Sequence, residues 1–231
     1  MTRPTTSPQI DTQEAQYYDI AECPKVLESI RNHLDPEWQC IFTLSFYCGT
    51  HPEELVGLNW SDLEEGNISI TAGAYQRKRE KNKRTEKPKT NKSNRIISLP
   101  EEALSSLDNW RKVQAEEFLK RGGIWADRDT VFTNDKGERL SIYRPSKAWK
   151  AFTTKNNLRH LPLYDLRHTN CSLLISSKEL SVEEVAARMG HEQTSTTLNI
   201  YSHAFNNSNK RATAALMNVL DGAEKCTIEK K

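Results

Sequence analysis

No stretch of this chain approaches the roughly 18 consecutive apolar residues that a membrane-spanning helix needs. Its opening, MTRPTTSPQIDTQ, has no apolar core of the kind a secretory signal carries. Both absences point to a cytoplasmic chain. Aromatic residues are few, at 8%, against 28% charged residues, so a solvated surface around a modest core is expected. Cysteine occurs five times, at 23, 40, 48, 171 and 226, but never as Cys-X-X-Cys and never beside histidine at ligand spacing. An odd count without such spacing argues against a disulfide framework and against structural zinc. Buried free thiols are the expectation.

What is present is length and an uneven charge. The 231 residues suffice for one or two domains with a real core. From Arg77 to Arg95 the chain carries ten Lys/Arg and two Glu, a local +8 within a total of +2, which leaves −6 for the remainder. A compact basic segment on a mildly acidic body is the footprint of a polyanion site; the same run also reads as a solvated loop.

Periodicity and stop signals predict a mostly helical α+β chain with a small antiparallel sheet. Residues 1–17 read as a tail or linker. Helices are expected over Pro24–His33, from Asp35-Pro36 to Gly49, and from His51-Pro52 to about Gly57. Asn67–Thr71 and Arg95–Leu99 alternate as strands around the basic segment, giving a hairpin. Pro100 opens a further helix, Val131-Phe132 reads as a short strand before an Asn134–Gly137 turn, and Ser146–Thr154 is helical. Pro162 is expected to open the helix of Arg167. Ser181 and Glu184 form a capping box for a helix that Gly190 ends. Thr194–Thr197 would cap a helix bearing Tyr201, and Arg211–Leu220 would be the last. The tryptophans Trp38, Trp60 and Trp149 are expected in the core.

Between Leu161 and His203 lie an arginine on a helix (Arg167), a histidine just past a glycine stop (His191) and a tyrosine on the next helix (Tyr201). A cationic clamp, a hydrogen-bonding imidazole and a hydroxyl nucleophile suit attack on a phosphodiester. Each also has an ordinary reading: Arg167 as a salt-bridge partner, His191 as part of a helix cap, Tyr201 as a surface tyrosine.

Four segments, in order, then match one pattern: CGTHPEELVGLNWSDL, PKTNKSNRIISLP, YDLRHTNCSLLI and MGHEQTSTTLNIYSHAF. Together they resemble the catalytic domain of the tyrosine recombinases, the phage and transposon integrases, over about residues 20–210. The resemblance implies a domain over 18–220 followed by a tail, 221–231. It implies site-specific cleavage and rejoining of double-stranded DNA through a 3′-phosphotyrosyl link, without metal, ATP or other cofactor. Family members assemble as a tetrameric synapse on DNA, so self-association there, from a monomer, and a place at the nucleoid are implied. An N-terminal clamp domain is also usual in the family, so the chain reads as a fragment or as a stand-alone catalytic domain.

By position, Tyr201 would be the nucleophile and Arg167 a phosphate clamp. Lys89 would protonate the leaving 5′-oxygen, with Lys87 and Lys92 as neighbours able to take that part. His191 would hydrogen-bond the phosphate, His168 would support Arg167, and Glu54 would orient its own box. His203 would support the tyrosine helix. Arg77, Lys78, Arg79, Lys81, Lys83, Arg84, Lys87, Lys92 and Arg95 would contact DNA phosphates, with steep salt dependence.

Two positions depart from the pattern. His51 stands where the family carries its first clamp arginine, and Tyr164 where it carries a histidine. A tyrosine hydroxyl still hydrogen-bonds phosphate. Neutral histidine offers one N–H in place of a permanent charge and a forked donor set. Losing one preorganised donor typically costs about 10²–10³ in rate. The expectation is recombination with weakened cleavage. The alternatives are a DNA-binding relative without cleavage and a general strand-relaxing enzyme.

Overall fold

The computed structural model describes residues 16–75, 83–84, 94–123, 128–191, 194 and 197. The fold is built around one helix that is apolar on nearly every side. Helix α2 (Pro36–Cys48) buries Cys40, Ile41, Phe42, Thr43, Leu44, Ser45, Phe46 and Cys48. A helix hydrophobic all round must be covered all round. It is covered by α1 (Cys23–His33), α3 (Pro52–Gly57), α4 (Glu101–Lys120), α5 (Arg144–Lys155) and α6 (Asp165–Ser177). Phe42 anchors the centre: its ring meets Trp149 edge-on at 4.9 Å, and Phe152 lies 6.0 Å away. The fully buried Trp149 donates its indole N–H to the Leu161 carbonyl at 2.8 Å, the partner such a buried group requires.

Two small antiparallel sheets flank this body. β1 (Leu63–Glu64), β2 (Asn67–Ile70) and β5 (Arg95–Ser98) form one, with Asn67 opposite Ser98 and Ile70 opposite Arg95. β3 (Ala74–Tyr75) and β4 (Lys83–Arg84) form the other, at the base of the basic segment. Helix α7 (Val182–Met189) packs on α6 and β5, and Val185 and Met189 form a satellite cluster with Cys171 and Ile175. The chain enters along α6: the amide of buried Tyr18 donates to Thr169 Oγ1 (3.1 Å) and its hydroxyl to the Arg159 carbonyl (2.6 Å).

The mostly helical α+β class holds, and four local expectations change. Val131-Phe132 is not a strand. Single-residue bridges flank it, Asn59 to Thr130 and Thr133 to Arg139, and the two buried apolar residues plug the core between them. Helix α6 begins at Asp165, because Pro162–Tyr164 form a turn in which the Asp165 amide reaches the Pro162 carbonyl (2.9 Å). Asp35 sits at the α2 N-cap, but its carboxylate makes no capping hydrogen bond there. Trp38 and Trp60 are only half-buried: Arg144 lies 5.8 Å over Trp38, and the Trp60 indole N–H donates to Gln114 (2.8 Å). Among the described residues Cys23, Cys40, Cys48 and Cys171 are buried, as expected.

Candidate active site

Three segments distant in sequence meet at the carboxyl ends of α2 and α7. The α2 helix ends at Gly49 in the left-handed conformation (φ 57°), which turns the chain so that His51 becomes the N-cap of α3. Glu54, one turn on, accepts a hydrogen bond from the His51 amide at 2.9 Å, the reciprocal arm of a capping box. Helix α7 starts on the predicted box, with the Ser181 hydroxyl accepting from the Glu184 amide (3.1 Å) and Glu184 accepting from the Ser181 amide (2.7 Å). It stops at Gly190, and the His191 amide closes back on the Ala186 carbonyl at 2.9 Å. That closure fixes His191 one residue beyond the helix.

Arg167 links both ends. It is 3% exposed, and its guanidinium donates to the Gly49 carbonyl (2.6 Å) and to the Met189 carbonyl. Those carbonyls terminate α2 and α7, where partial negative charge collects and intrahelical partners run out. Burial, then the neighbouring Arg95 charge, pull Arg167 below the usual arginine value; a guanidinium remains protonated at neutral pH all the same. Thr50 Oγ1 and Arg167 Nε are buried without a hydrogen-bond partner among the described residues, as is the acceptor Asn170 Oδ1. Such groups cost about 1–3 kcal/mol each when left unsatisfied.

The imidazoles gather round this arginine. The Tyr164 ring lies 5.3 Å from His51 and 5.1 Å from His168, which it meets edge-on. Tyr164 is 38% exposed, while Arg167, three residues on, is buried. His191 Nδ1 shares a 2.7 Å hydrogen bond with the buried Thr197 hydroxyl, which leaves Nε2 for another partner. All three histidines are held below the ordinary imidazole value, in each case first by burial and next by the Arg167 charge. For His191 the value falls to about 4. At neutral pH these rings are therefore uncharged donors around a permanent cation.

Of the expected site residues, the structure brings together His51, Glu54, Tyr164, Arg167, His168 and His191. Tyr201, Lys89 and His203 lie outside the described residues, as do Arg77, Lys78, Arg79, Lys81, Lys87, Lys92, the expected last helix and Cys226. Lys83 is exposed on β4. Its neighbour Arg84 is spent on Asp62, with both carboxylate oxygens 2.7 Å from one guanidinium nitrogen. Arg95, expected among the phosphate contacts, is paired within the protein. Its side chain is 6% exposed and grips Glu54 with two hydrogen bonds, 3.0 and 2.7 Å. One surface went unnoticed in the sequence. Helix α5, RPSKAWKAFTTK, contains four Lys/Arg and no acid, and Arg144, Lys147, Lys150 and Lys155 are all exposed around a buried Trp149–Phe152 side. The missing acids were the available signal.

The Phage integrase family profile matches residues 16–208. The chain belongs to that family. It is 26% identical over 211 residues to the tyrosine recombinase XerC-like protein of Caldanaerobacter subterraneus subsp. tengcongensis, covering 86% of this chain and 53% of the relative. It is 27% identical over 187 residues to the ICEBs1 integrase of Bacillus subtilis, covering 79% of this chain and 49% of the relative. The chain thus spans about half the length of the curated relatives it matches. Its fold is shared with the Tn1549 transposon integrase solved with circular intermediate DNA (TM-score 0.72, 19% identity, 89% of this chain and 68% of that one). It is shared also with the XerH recombinase bound to its difH substrate (TM-score 0.61, 20% identity, 90% of this chain and 56% of that one). The fold is that of a tyrosine-recombinase catalytic domain.

Proposed function

We propose that this chain cuts and rejoins double-stranded DNA at specific sites. The Tyr201 hydroxyl oxygen attacks the scissile phosphorus as its proton passes to water, a 3′-phosphotyrosyl bond forms, and the bond to the 5′-oxygen breaks, that oxygen leaving with a proton supplied by Lys89. A 5′-hydroxyl from another strand then reverses the step. Arg167 and the Nε2 side of His191 would hold the non-bridging oxygens, joined by His51 and the Tyr164 hydroxyl. The observation that carries this reading is the convergence of His51, Arg167 and His191, from three separated segments, on one buried, donor-rich point. The family supports it, as do relatives solved on DNA. The catalytic unit covers 18–220, the basic segment meets DNA phosphates, and active complexes are tetramers on DNA at the nucleoid.

His51 sets the limit on rate. A neutral imidazole supplies one donor where an arginine would supply a fork and a charge. His51→Arg is expected to raise covalent adduct formation on a nicked duplex by about 10²-fold, the usual worth of such a donor. No gain over the unmodified chain would overturn this account of His51.

A further inference from the structure

We infer that Arg95 is a positioning residue that locks the basic hairpin to the phosphate pocket, rather than a ligand of DNA. Three observations meet at its guanidinium. It grips the Glu54 carboxylate through two hydrogen bonds, in a pair whose side chains are 6% and 15% exposed. The same carboxylate holds the His51 amide at 2.9 Å. On its other side it lies against the glycine preceding His191: a Cβ on Gly190 would come within 2.9 Å of Arg95 Nη1 and 3.3 Å of Cζ. Gly190 has φ +69°, a backbone conformation that favours glycine, and a side chain there would also press on the Arg95 guanidinium.

Arg95 begins β5, the strand that leaves the basic segment, and pairs across to Ile70 of β2. One side chain therefore ties the hairpin's exit to the first box through Glu54 and to the third box through Gly190. Burial pushes the Glu54 carboxyl up, but the Arg95 hydrogen bonds and charge and the His51 amide outweigh it, so the carboxylate stays ionised and the pair intact at neutral pH. A planar, two-pronged donor is what such a link needs; lysine would supply the charge without the fork. Lys89 lies six residues before Arg95. Only the cleavage part of the test rests on the recombinase reading.

The test compares the unmodified chain with Arg95→Gln, Glu54→Gln, the double variant and Arg95→Lys. Three quantities are read: thermal midpoint, DNA affinity against salt, and single-turnover adduct formation on a nicked duplex. Misplacing a clamp by an ångström costs about 10²-fold in rate, so each single substitution should slow adduct formation to that degree. The double variant should be no slower than the worse single, because both partners act through one contact. The slope of log affinity on log salt should not change. A fall in that slope by about 0.9, the signature of one lost phosphate contact, would overturn the inference, as would additive losses in the double variant. If Arg95→Gln fails to fold, Arg95→Lys carries the comparison, because it leaves Glu54 a charged neighbour. An unmodified chain that binds DNA but never forms an adduct contradicts the recombinase reading alone, and the salt slope then decides the role of Arg95 by itself.

Discussion

His51 concentrates what a single side chain can change in this site. Half-buried, and beside Arg167 and Arg95, it is held below the ordinary imidazole value, although Glu54 and Glu53 pull the other way. His168 and His191 share that fate. All three values lie below that of a free imidazole, so between the folded values and about 6.5 the unfolded chain binds more protons than the folded one. Stability should therefore be highest above about pH 6.5 and decline as pH falls toward 4, where His191 finally titrates. A thermal midpoint that stays level between pH 7 and pH 4.5 would contradict this. A bound phosphate reverses the sign, because its charge favours imidazolium. DNA binding should take up protons and strengthen as pH falls toward the lowered histidine values of the free protein, and His51→Gln should reduce that uptake. Calorimetry in buffers of different ionisation enthalpy measures it, and proton release on binding would refute the prediction. The residues of the pocket were legible because the spacing of the boxes carries them: Arg167, His191 and His51 could all be named from the sequence. Arg95 could not. It sits in a run of cations that reads as solvated surface, and its partner Glu54 is 41 residues away.

Between elements, the junctions matter more than the helices. Arg167 caps the carbonyls that end α2 and α7, so Arg167→Met should do two things at once. It should abolish adduct formation, and it should also lower stability by about 1–3 kcal/mol for each carbonyl left buried and unpaired. Unchanged chemical-denaturation stability would show that the staple is not structural. The α3–β3 junction is tighter still: a Cβ on Gly57 would lie 2.8 Å from Gly73 Cα. Gly57→Ala should therefore cost about 1–3 kcal/mol, the usual price of overpacking, and lower the thermal midpoint with no direct effect on the pocket. Helix ends marked by Pro36, Gly49, Ser181 and Gly190 could be read from the chain, since each signal acts within one turn. The Val131–Phe132 strand could not, because a short apolar run looks the same whether it pairs in a sheet or plugs a core. Nor could the start of α6, where Pro162 marks a turn as readily as a first helical position.

For the whole molecule, the segment from Arg77 to Arg95 holds a net +8 on a body of opposite sign. Arg84 and Arg95 are paired inside the protein, so the outward charge is smaller than the sequence count suggests. Neutralising Lys87 and Lys92 to glutamine should flatten the salt dependence of DNA binding by about 0.9 for each phosphate contact removed. A slope unmoved by both changes would place DNA elsewhere, and the acid-free outer face of α5 would be the next surface to test. The mostly helical class was legible in the periodicity and stop signals, whereas the central place of α2, buried on nearly every side, emerged only in the structure. The meeting of the boxes rests on contacts between residues more than a hundred positions apart, such as Arg167 with Gly49, which no local signal reveals. The most direct test of the central claim is to trap the chain on a nicked duplex carrying a recombination site and map the modified peptide by mass spectrometry. The account predicts a 3′-phosphotyrosyl adduct on Tyr201, more abundant in His51→Arg and absent in Tyr201→Phe. An adduct that persists in Tyr201→Phe, or none even with arginine restored at position 51, would contradict it.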